Sequence, residues 1–589
     1  MKRLIFSAAL IISALLTFTA CQNDCNHTAT HTATENEVAV TCSAVGSYDQ
    51  VVYCSDCNTE LSREVKIIPS SDHSVTNLVC TVCGAAVGCS EGLELALSTD
   101  EAYYSVTGIG SCTDTTVIIP PVNNGLPVRE IADHALSNCR DIVSITVPDS
   151  VKIIGNRAFY GCENLAHITL GYGLESIGSS AFYYCDSLTE IKIPSSVTKI
   201  GSCAFLTVSA AITSITVDTS NEVYKSIDGS LYTKDGSVLV QYAIGRSGTS
   251  FAIPESVVTV ADCAFAYCKN LTDITIAGNV ESIGNSAFTR CDALKNVTVG
   301  NSVKKIGTDA FTDCGKLESI TIGNSVEEIG YMAFAYCLSL TSITVSENNA
   351  SYTSLDGNLY NEDITTLLQY ANGKDDESFT LPDTVTAIDD NAFAYCKKLK
   401  NVTIPDSVTV IGNLTFDGCS SITSVTIGNG MTKIGDYAFS NCTNLTNVTM
   451  GDSIEEIGKF AFYFCYNLLS ITIPDSVTVI GDCAFDNCES ITSVNLGNSV
   501  ETIGAGAFSG CQNITSITIP NSVTYIGHSA FKQCKNLTSV TFENPEDWWC
   551  ALQSFDTSGT AISESELADD SVAAEYLQST YCNYCWHRG

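Results

Sequence analysis

Residues 457–479 read IGKFAFYFCYNLLSITIPDSVTV, and this stretch recurs along most of the chain with a period of 23 residues. Its general form is I-G-x-x-A-F-x-x-C-x-x-L-x-x-I-x-I-P-x-S-V-x-x. The position of Phe462 recurs fifteen times, from Leu136 in the first copy to Phe531 in the last. A unit of this length is too short to bury a core of its own, so neighbouring copies must stack on one another.

Each copy contains a strand, a turn and a compact bend. The L-x-x-I-x-I part alternates apolar and polar residues and is rich in β-branched side chains, which predicts a half-buried strand. Pro or Gly followed by Asp-Ser or Asn-Ser ends that strand in a turn. The A-F-x-x-C part is long enough for only one helical or 3₁₀ turn. We therefore expect a repeat solenoid with a parallel β-sheet on one side, short turns or 3₁₀ or helical turns on the other, and a continuous apolar core.

These repeats resemble the BspA-like branch of the leucine-rich-repeat family, which is found on surface proteins of oral and gut bacteria. The resemblance covers residues 101–545, in which the copies stay in register. It implies a curved or twisted leucine-rich-repeat solenoid. For some members of the family it also implies adhesion to host proteins or to other cells, which the periodicity alone does not establish.

Fourteen cysteines occupy one position of the repeat, so they are expected to stack about 5 Å apart, a distance that a disulfide bond tolerates. Because a small thiol packs well in a core, we expect a buried, reduced ladder instead. Reduced thiols are unusual outside the cytoplasm and suggest an anaerobic habitat. The fourteen residues are Cys139, Cys162, Cys185, Cys268, Cys291, Cys314, Cys337, Cys396, Cys419, Cys442, Cys465, Cys488, Cys511 and Cys534.

Two inserts, near residues 218–252 and 346–380, interrupt the array and are related by one constant shift along the chain. Each holds Asp-Gly between apolar stretches, which predicts a β-hairpin that projects from the solenoid. The exposed face of the strands is expected to offer few side chains that contribute strongly to binding, since Thr holds the outward position in thirteen of fifteen copies. If the protein binds a partner, we expect tyrosines in the inserts and beside the repeat cysteine to make the contact. The alternative is that these tyrosines only cover the flank of the solenoid. Those in the inserts are Tyr224, Tyr232, Tyr242, Tyr352, Tyr360 and Tyr370, and those beside the repeat cysteine are Tyr160, Tyr183, Tyr184, Tyr267, Tyr336 and Tyr395.

Residues 1–21 have the form of a lipoprotein signal peptide. Lys2 and Arg3 precede an apolar stretch, and small residues precede Cys21. The pattern resembles a bacterial lipobox, although Phe18 departs from its usual Leu, and Cys21 would then carry the lipid. Secretion without a lipid is the alternative. We expect an extracytoplasmic protein at the bacterial cell surface that meets the membrane only through its lipid anchor.

Residues 22–100 are predicted to form a Cys-rich, zinc-ribbon-like stalk. Cys54-x-x-Cys57 and Cys80-x-x-Cys83 each follow a strand-like run, as in a zinc knuckle. The two pairs together predict a structural zinc site with four thiolate ligands. Two local disulfides, a redox pair or a decayed metal site remain open, as do ligand sets that include Cys25, His27, Cys42 or His73.

Residues 546–589 lie beyond the last repeat and are predicted to form a C-terminal cap. They contain all three tryptophans of the chain, Trp548, Trp549 and Trp586. Large aromatic side chains suit a cap because the last coil of a stack would otherwise expose its core.

The composition argues against several functions. The chain has 65 acidic and 28 basic residues, a net charge of −37, so it repels nucleic acids and anionic headgroups. It contains no H-E-x-x-H or phosphate-binding loop, and we expect no enzyme. The prediction is an adhesin or binding module for surface proteins or glycans of a host or a neighbouring cell. A structural cell-envelope protein without a specific ligand is the alternative.

Overall fold

The computed structural model describes residues 88–209, 212–276, 278–552 and 559–589, together with five strands earlier in the chain. Of those strands, the first three form an antiparallel sheet and the last two pair with each other. They are Thr30–Val38, Gly46–Cys54, Glu60–Ile68, Val75–Thr76 and Val79–Cys80. From residue 88 onward the described chain is a parallel β-solenoid with very little helix, which confirms the predicted fold class.

Ladder A is formed by the L-x-x-I-x-I strands. Its strands pair in parallel and in register, so that Ile274, Val297 and Ile320 lie side by side. The apolar residues point into the core and the residues between them are exposed, as the alternation requires. The strands of ladder A are Thr116–Ile118, Ser144–Val147, His167–Leu170, Glu190–Ile193, Ser214–Val217, Ser250–Ala252, Asp273–Ile276, Asn296–Val299, Ser319–Ile322, Ser342–Val345, Ser378–Thr380, Asn401–Ile404, Ser424–Ile427, Asn447–Thr449, Ser470–Thr472, Ser493–Asn495, Ser516–Ile519 and Ser539–Phe542.

Ladder B is a second parallel ladder that the sequence did not predict. Most of its strands are two residues long and end at the Ile of the I-G pair, too short to show an alternation. The Gly that follows is required by close packing, since a Cβ on Gly458 would lie 2.6 Å from the carbonyl oxygen of Ile434. The strands of ladder B are Tyr104–Gly108, Leu126–Ile131, Ile153–Ile154, Ser176–Ile177, Lys199–Ile200, Val238–Gln241, Thr259–Val260, Ser282–Ile283, Lys305–Ile306, Glu328–Ile329, Thr366–Gln369, Ala387–Ile388, Val410–Ile411, Lys433–Ile434, Glu456–Ile457, Val479–Ile480, Thr502–Ile503 and Tyr525–Ile526.

The turn edge is the row of A-F-x-x-C bends, counted in each coil from two residues before the repeated Phe to one residue after the repeat cysteine. Its backbone forms a third row of hydrogen bonds between coils. The N–H of Phe462 donates to the carbonyl of Ala484 (2.7 Å), and that of Phe464 to the carbonyl of Asp486 (3.0 Å). The residues two before and two after the repeated Phe have positive φ in most coils. These bends are the short turns that the sequence predicted.

The repeated Phe and Cys fill the core between the ladders. Phe462 stacks on Phe439 and on Phe485 with ring centroids 5.3 and 5.2 Å apart. Cys465 is fully buried, and its Sγ donates to the carbonyl oxygen of Phe439 at 3.2 Å. The equivalent bond recurs in most coils, and the ladder cysteines are free. Thirteen of the fourteen ladder cysteines are buried and Cys139 is partly exposed, and none of them forms a disulfide in this structure.

The first insert contains the predicted hairpin, formed by Tyr224–Ile227 and Ser230–Thr233 around a turn with positive φ at Asp228 and Gly229. The hairpin does not project, and that prediction is wrong. Its turn accepts a hydrogen bond from Ile215 N through Gly229 O (2.7 Å), next to ladder A. Its other end reaches ladder B, so the hairpin fills a layer of the stack.

The second insert repeats this arrangement at the equivalent residues. Ile343 N donates to Gly357 O at 2.8 Å, and Ile329 N donates to the hydroxyl of Tyr352 at 3.0 Å. In both inserts the next strand returns to ladder B. The strands of the second hairpin are Tyr352–Leu355 and Asn358–Asn361.

Both ends of the solenoid carry antiparallel strands. At the start, Glu94–Leu97 pairs with Tyr104–Gly108, and Val122–Asn123 with Leu126–Ile131. The predicted boundary after residue 100 therefore falls inside a hairpin of the solenoid.

At the other end, Cys585–Arg588 pairs with Tyr525–Ile526, the last strand of ladder B. Trp548 and Trp586 are buried beside Phe542. No helix in the described ranges is long and apolar enough to span a membrane. The remaining elements of this end are the strands Trp548–Ala551 and Thr560–Ala561, the α-helices Glu564–Leu567 and Asp570–Glu575, and the π-helical turn Tyr576–Thr580.

Candidate functional site

The predicted lipid and zinc residues cannot be placed. Cys21, Cys57 and Cys83 lie outside the described residues, as do the side chains of Cys54 and Cys80. Within the described part of the chain, no group of three or more His, Cys, Asp or Glu side chains is arranged to hold a metal ion. The lipid anchor and the structural zinc therefore stay predictions.

The insert tyrosines were predicted to contact a partner, but four of the six are core side chains. Tyr232, Tyr242, Tyr360 and Tyr370 are at most 2% exposed. Tyr242 stacks on Phe265 at 4.9 Å, because the shortened bend of the insert coil places it where other coils have Phe. These four rings offer a partner no surface in this structure.

The other two insert tyrosines also have structural roles. Tyr224 is 8% exposed, and its hydroxyl accepts a hydrogen bond from Ile200 N at 3.1 Å. Tyr352 is partly buried and binds Ile329 N in the same way. Both hydroxyls satisfy an N–H at the end of ladder B where the insert interrupts the sheet.

The tyrosines predicted beside the repeat cysteine lie on the turn edge and remain partly exposed. In the coils before the first insert, Tyr183 and Tyr184 are in edge-to-face contact with ring centroids 4.4 Å apart. Tyr160 stacks on Tyr183 with ring centroids 5.5 Å apart. Burial, followed by the neighbouring Tyr267 hydroxyl, raises the pKa of Tyr183. We call Tyr160, Tyr183, Tyr184 and Tyr267 the first tyrosine cluster.

Two rings of the first tyrosine cluster are covered by arginines of the same edge. The guanidinium of Arg157 lies 5.9 Å from the ring centre of Tyr160, and that of Arg290 lies 5.7 Å from the ring centre of Tyr267. Both distances fit a cation–π contact. This cluster therefore carries its own cations.

A second tyrosine cluster bridges the second insert. Tyr336 and Tyr395 belong to the coils on either side of this insert, and their rings meet edge to face at 5.1 Å. Burial, followed by the charge of Asp417, raises the pKa of Tyr336 to about 12. Tyr331 immediately precedes the turn edge in the same coil as Tyr336, with half of its surface exposed, and its hydroxyl accepts a hydrogen bond from Asn391 Nδ2.

A third aromatic cluster was missed by the sequence analysis. We call it the five-ring strip: Tyr437, Phe460, Tyr463, Phe464 and Tyr466. Successive ring centroids along the strip are 4.6, 5.3, 3.9 and 5.4 Å apart, so the five rings form one continuous chain. The signal was present in the sequence, because these residues flank a repeated Phe and a repeat cysteine as the predicted tyrosines do.

The five-ring strip adds apolar surface to the turn edge, with four partly exposed rings and one exposed ring. Tyr466 is 38% exposed, and beside the strip Leu469 is 52% exposed where neighbouring coils have Thr. Contiguous exposed apolar surface on a soluble protein marks an interaction site more often than scattered apolar residues do.

Three residues of the strip hold an unfavourable backbone conformation. Tyr437, Phe460 and Phe464 have φ of 56°, 56° and 58°. Bulky residues adopt such angles at a cost of about 1 kcal/mol or more each. Other coils place Gly506 and Gly510 at equivalent positions, where a left-handed residue is free of this cost. The strip thus keeps aromatic rings where the backbone favours Gly or Asn.

Acidic side chains surround the five-ring strip. The next coil places Asp486 and Glu489 beside it, and burial raises the pKa of Asp486. Asp486 is also the neighbouring charge that, after burial, raises the pKa of Tyr463. Lys459 is the single basic residue between positions 456 and 478, and its Nζ binds Asp482 Oδ2 at 2.9 Å. The strip is therefore aromatic, negatively charged at its border and without a free cation of its own coil.

A disulfide between Cys203 and Cys263 was also missed. Both cysteines lie two residues before the repeated Phe, and the insert places them 60 residues apart. Their Cα atoms are 5.4 Å apart because the shortened bend of the insert coil lets the flanking coils meet at the turn edge. Met332 and Asn391 hold the equivalent positions across the second insert, where Asn391 instead donates a hydrogen bond to the hydroxyl of Tyr331, the residue before Met332.

The sequence matches, in six copies, the family described as BspA type leucine rich repeat region, over residues 115–232, 244–361, 369–492 and 455–548. No curated protein matches the chain. Among solved structures, the chain is similar to a leucine rich cell surface protein from Faecalibacterium prausnitzii, at 26% identity over 69% of this chain and 93% of that chain, with a TM-score of 0.42.

It is also similar to a leucine-rich repeat protein from Eubacterium ventriosum, at 25% identity over 53% of this chain and 92% of that chain, with a TM-score of 0.46. A third similar structure is the pneumococcal vaccine antigen PcpA, at 20% identity over 77% of this chain and 93% of that chain, with a TM-score of 0.38.

Proposed function

The chain belongs to the BspA-type leucine-rich-repeat family, and from that premise we propose that it is a cell-surface adhesin that binds other proteins through the aromatic rings of its turn edge. The distribution of exposed aromatic residues carries this proposal. Three clusters of rings lie on the turn edge. The exposed face of ladder A instead presents mainly the short side chains of Thr and Ser, whereas binding energy at interfaces concentrates in Tyr, Trp and Arg.

The proposed location is the bacterial cell surface. It rests on the signal peptide read in residues 1–21, with Cys21 as the lipidated residue and secretion without a lipid as the alternative. The Cys-rich segment would act as a stalk, stabilised by zinc bound to Cys54, Cys57, Cys80 and Cys83. Metal analysis of the purified protein, with and without a chelator, separates this site from two local disulfides.

We propose no catalytic role. The family and the solenoid fold are typically non-catalytic. The partners would be surface proteins of a host or a neighbouring cell, with their glycans as the other ligand class to screen. The net charge of −37 argues against nucleic acid as a partner.

The test is a binding screen of the purified protein against host matrix proteins and glycans at physiological salt. Three variants each remove two or three rings from one cluster: Tyr183→Ser with Tyr184→Asn, Tyr336→Asn with Tyr395→Asn, and Tyr463→Ser with Phe464→Asn and Tyr466→Thr. A control variant changes exposed Thr472 and Thr518 of ladder A to Ala.

We expect at least one cluster variant to lose affinity while the threonine control retains it. Loss of binding in the control alone would move the site to ladder A. A folded protein that binds nothing in the screen would favour the second candidate, a structural envelope protein, which the short side chains of the ladder A face support.

A further inference from the structure

We infer that the five-ring strip binds a protein segment that presents arginine or lysine side chains. This inference rests on the proposed function and specifies the partner chemistry of one site. It follows from three features of the turn edge: where the chain supplies its own cations, which charges border the strip, and which residues the strained backbone positions carry.

Within the described ranges, other aromatic rings of the chain are contacted by its own arginines and lysines, and the five-ring strip is not. In the first tyrosine cluster, Arg157 and Arg290 lie over turn-edge rings. In the inserts, Arg246 lies over Tyr242 and Lys374 over another insert tyrosine. Among the described residues, no cation–π contact involves a ring of the five-ring strip.

The turn-edge positions that carry arginine in other coils carry uncharged residues near the five-ring strip. The positions that correspond to Arg157 and Arg290 are Tyr437, Asn441, Phe460 and Phe464 in these coils, and Cys483 and Asn487 in the next. The cation that balances the rings must therefore come from a partner.

The border charges favour that partner. Asp486 and Glu489 lie on one side of the strip, and Asp436 precedes Tyr437 on the other. Lys459 is engaged by Asp482. Guanidinium and ammonium groups gain from ring faces and carboxylates together, because the ring quadrupole and the carboxylate attract the same charge.

The geometry of the rings disfavours an uncharged glycan. Tyr437 and Phe460 stack face to face with planes 6° apart, and Phe464 and Tyr466 stack with planes 19° apart. Much of the face area that a sugar would cover is already used within the strip. A narrow side chain such as Arg can still approach the remaining faces and the carboxylates.

The backbone supplies an independent observation. The preceding coil holds Ser440, Asn441 and Thr443 at the positions of Tyr463, Phe464 and Tyr466. The fold therefore accepts small polar residues here, and an Asn suits the positive φ better than Phe464 does. Aromatic side chains at these positions are not required for the coil to form.

The experiment uses fluorescent octapeptides that alternate Gly with Arg, Lys or Glu, titrated with the purified protein at 150 mM salt. The test variant is Tyr463→Ser with Phe464→Asn and Tyr466→Thr, which copies the neighbouring coil. The matched control is Tyr160→Ser with Tyr183→Ser, which removes turn-edge rings from a cluster that has its own arginines.

We expect the arginine peptide to bind at least as tightly as the lysine peptide and the glutamate peptide not to bind. The test variant should weaken arginine-peptide binding at least tenfold, and the control less than twofold. Equal weakening in both variants, or equal binding to the test variant and the unmodified protein, would show attraction to the overall negative charge and refute the inference.

The outcome is separable from that of the proposed function. Protein ligands from the screen that bind the test variant unchanged, together with an unaffected arginine peptide, would refute the strip and leave the adhesin proposal intact. Binding of neutral glycans that the arginine peptide does not displace would also overturn the inference. Arginine-peptide binding that depends on the strip, with no protein ligand in the screen, would support the strip chemistry and count against the adhesin proposal.

Discussion

The disulfide across the first insert offers a prediction that can be tested in both directions within one molecule. Replacing Cys203 and Cys263 by Ser removes the bond from the first insert. Because Met332 and Asn391 hold the equivalent positions at the second insert, two residues before the repeated Phe, Met332→Cys with Asn391→Cys should install the same bond there. The first insert then lacks its disulfide, and the second insert has a disulfide in place of the hydrogen bond of Asn391.

The magnitude follows from the length of chain that the bond closes. A separation of 60 residues corresponds to about 4 kcal/mol of lost entropy in the unfolded segment. A repeat array opens region by region, so the effect should fall on the closed segment and not on the whole chain. Because about 1.4 kcal/mol is a factor of ten, exchange through opening of that segment should change by up to about a thousandfold.

The assay is hydrogen exchange followed by mass spectrometry, read at Val238–Gln241 in the first insert and at Thr366–Gln369 in the second. We expect faster exchange in the first insert when its disulfide is removed and slower exchange in the second when a bond is installed. The matched control is Cys483→Ser, since Cys483 holds the same repeat position with a free thiol in a regular coil.

Peptide mapping would verify that each disulfide is present or absent as designed. If hydrogen exchange at both strands is then unchanged, the disulfide does not limit local opening and the prediction is refuted. That result would mean that the hairpins, and not the bridges on the turn edge, determine how these layers open. A change spread evenly along the chain would instead show that the array unfolds as one cooperative unit.

Three further predictions follow from the packing. Burial raises the pKa of Cys162 and Cys534 to about 12, while an unfolded thiol titrates near 9. The unfolded chain therefore releases these protons at lower pH, and the free energy of unfolding should fall as pH rises above about 9, by up to about 3 kcal/mol per thiol at pH 11. Urea unfolding from pH 8 to 11 tests this, and a midpoint independent of pH would contradict it. Phe464→Gly should be about 1 kcal/mol more stable than Phe464→Ala because φ is positive there, and the reverse order in thermal unfolding would exclude that conformation. Trp586→Ala should cost about 3–5 kcal/mol at the C-terminal end, seen as faster exchange at Tyr525–Ile526, whereas unchanged exchange there would show that the cap does not protect the last coil.

The candidate surface could be predicted only in part from the sequence. The turn-edge tyrosines were recognisable because they flank a repeated residue, and the same rule would have identified the five-ring strip. Tyr242 and Tyr370 lie in inserts that interrupt the repeat, so the sequence suggests exposed rings. In the structure each ring occupies the core position of the repeated Phe. Whether a ring in an insert is core or surface depends on which layer the insert occupies, and no local pattern encodes that.

The sequence by itself determined what a single coil needs: the length of the repeat, the ladder A strand, the stacked Phe and the buried thiol. These features depend on spacings within one repeat and on the need of each copy to cover its neighbour's apolar side. The tertiary structure alone decided ladder B, the seating of both hairpins inside the stack, and the meeting of Cys203 with Cys263. Those contacts join residues from different coils, and they arise only once the shortened insert coils set which bends become neighbours.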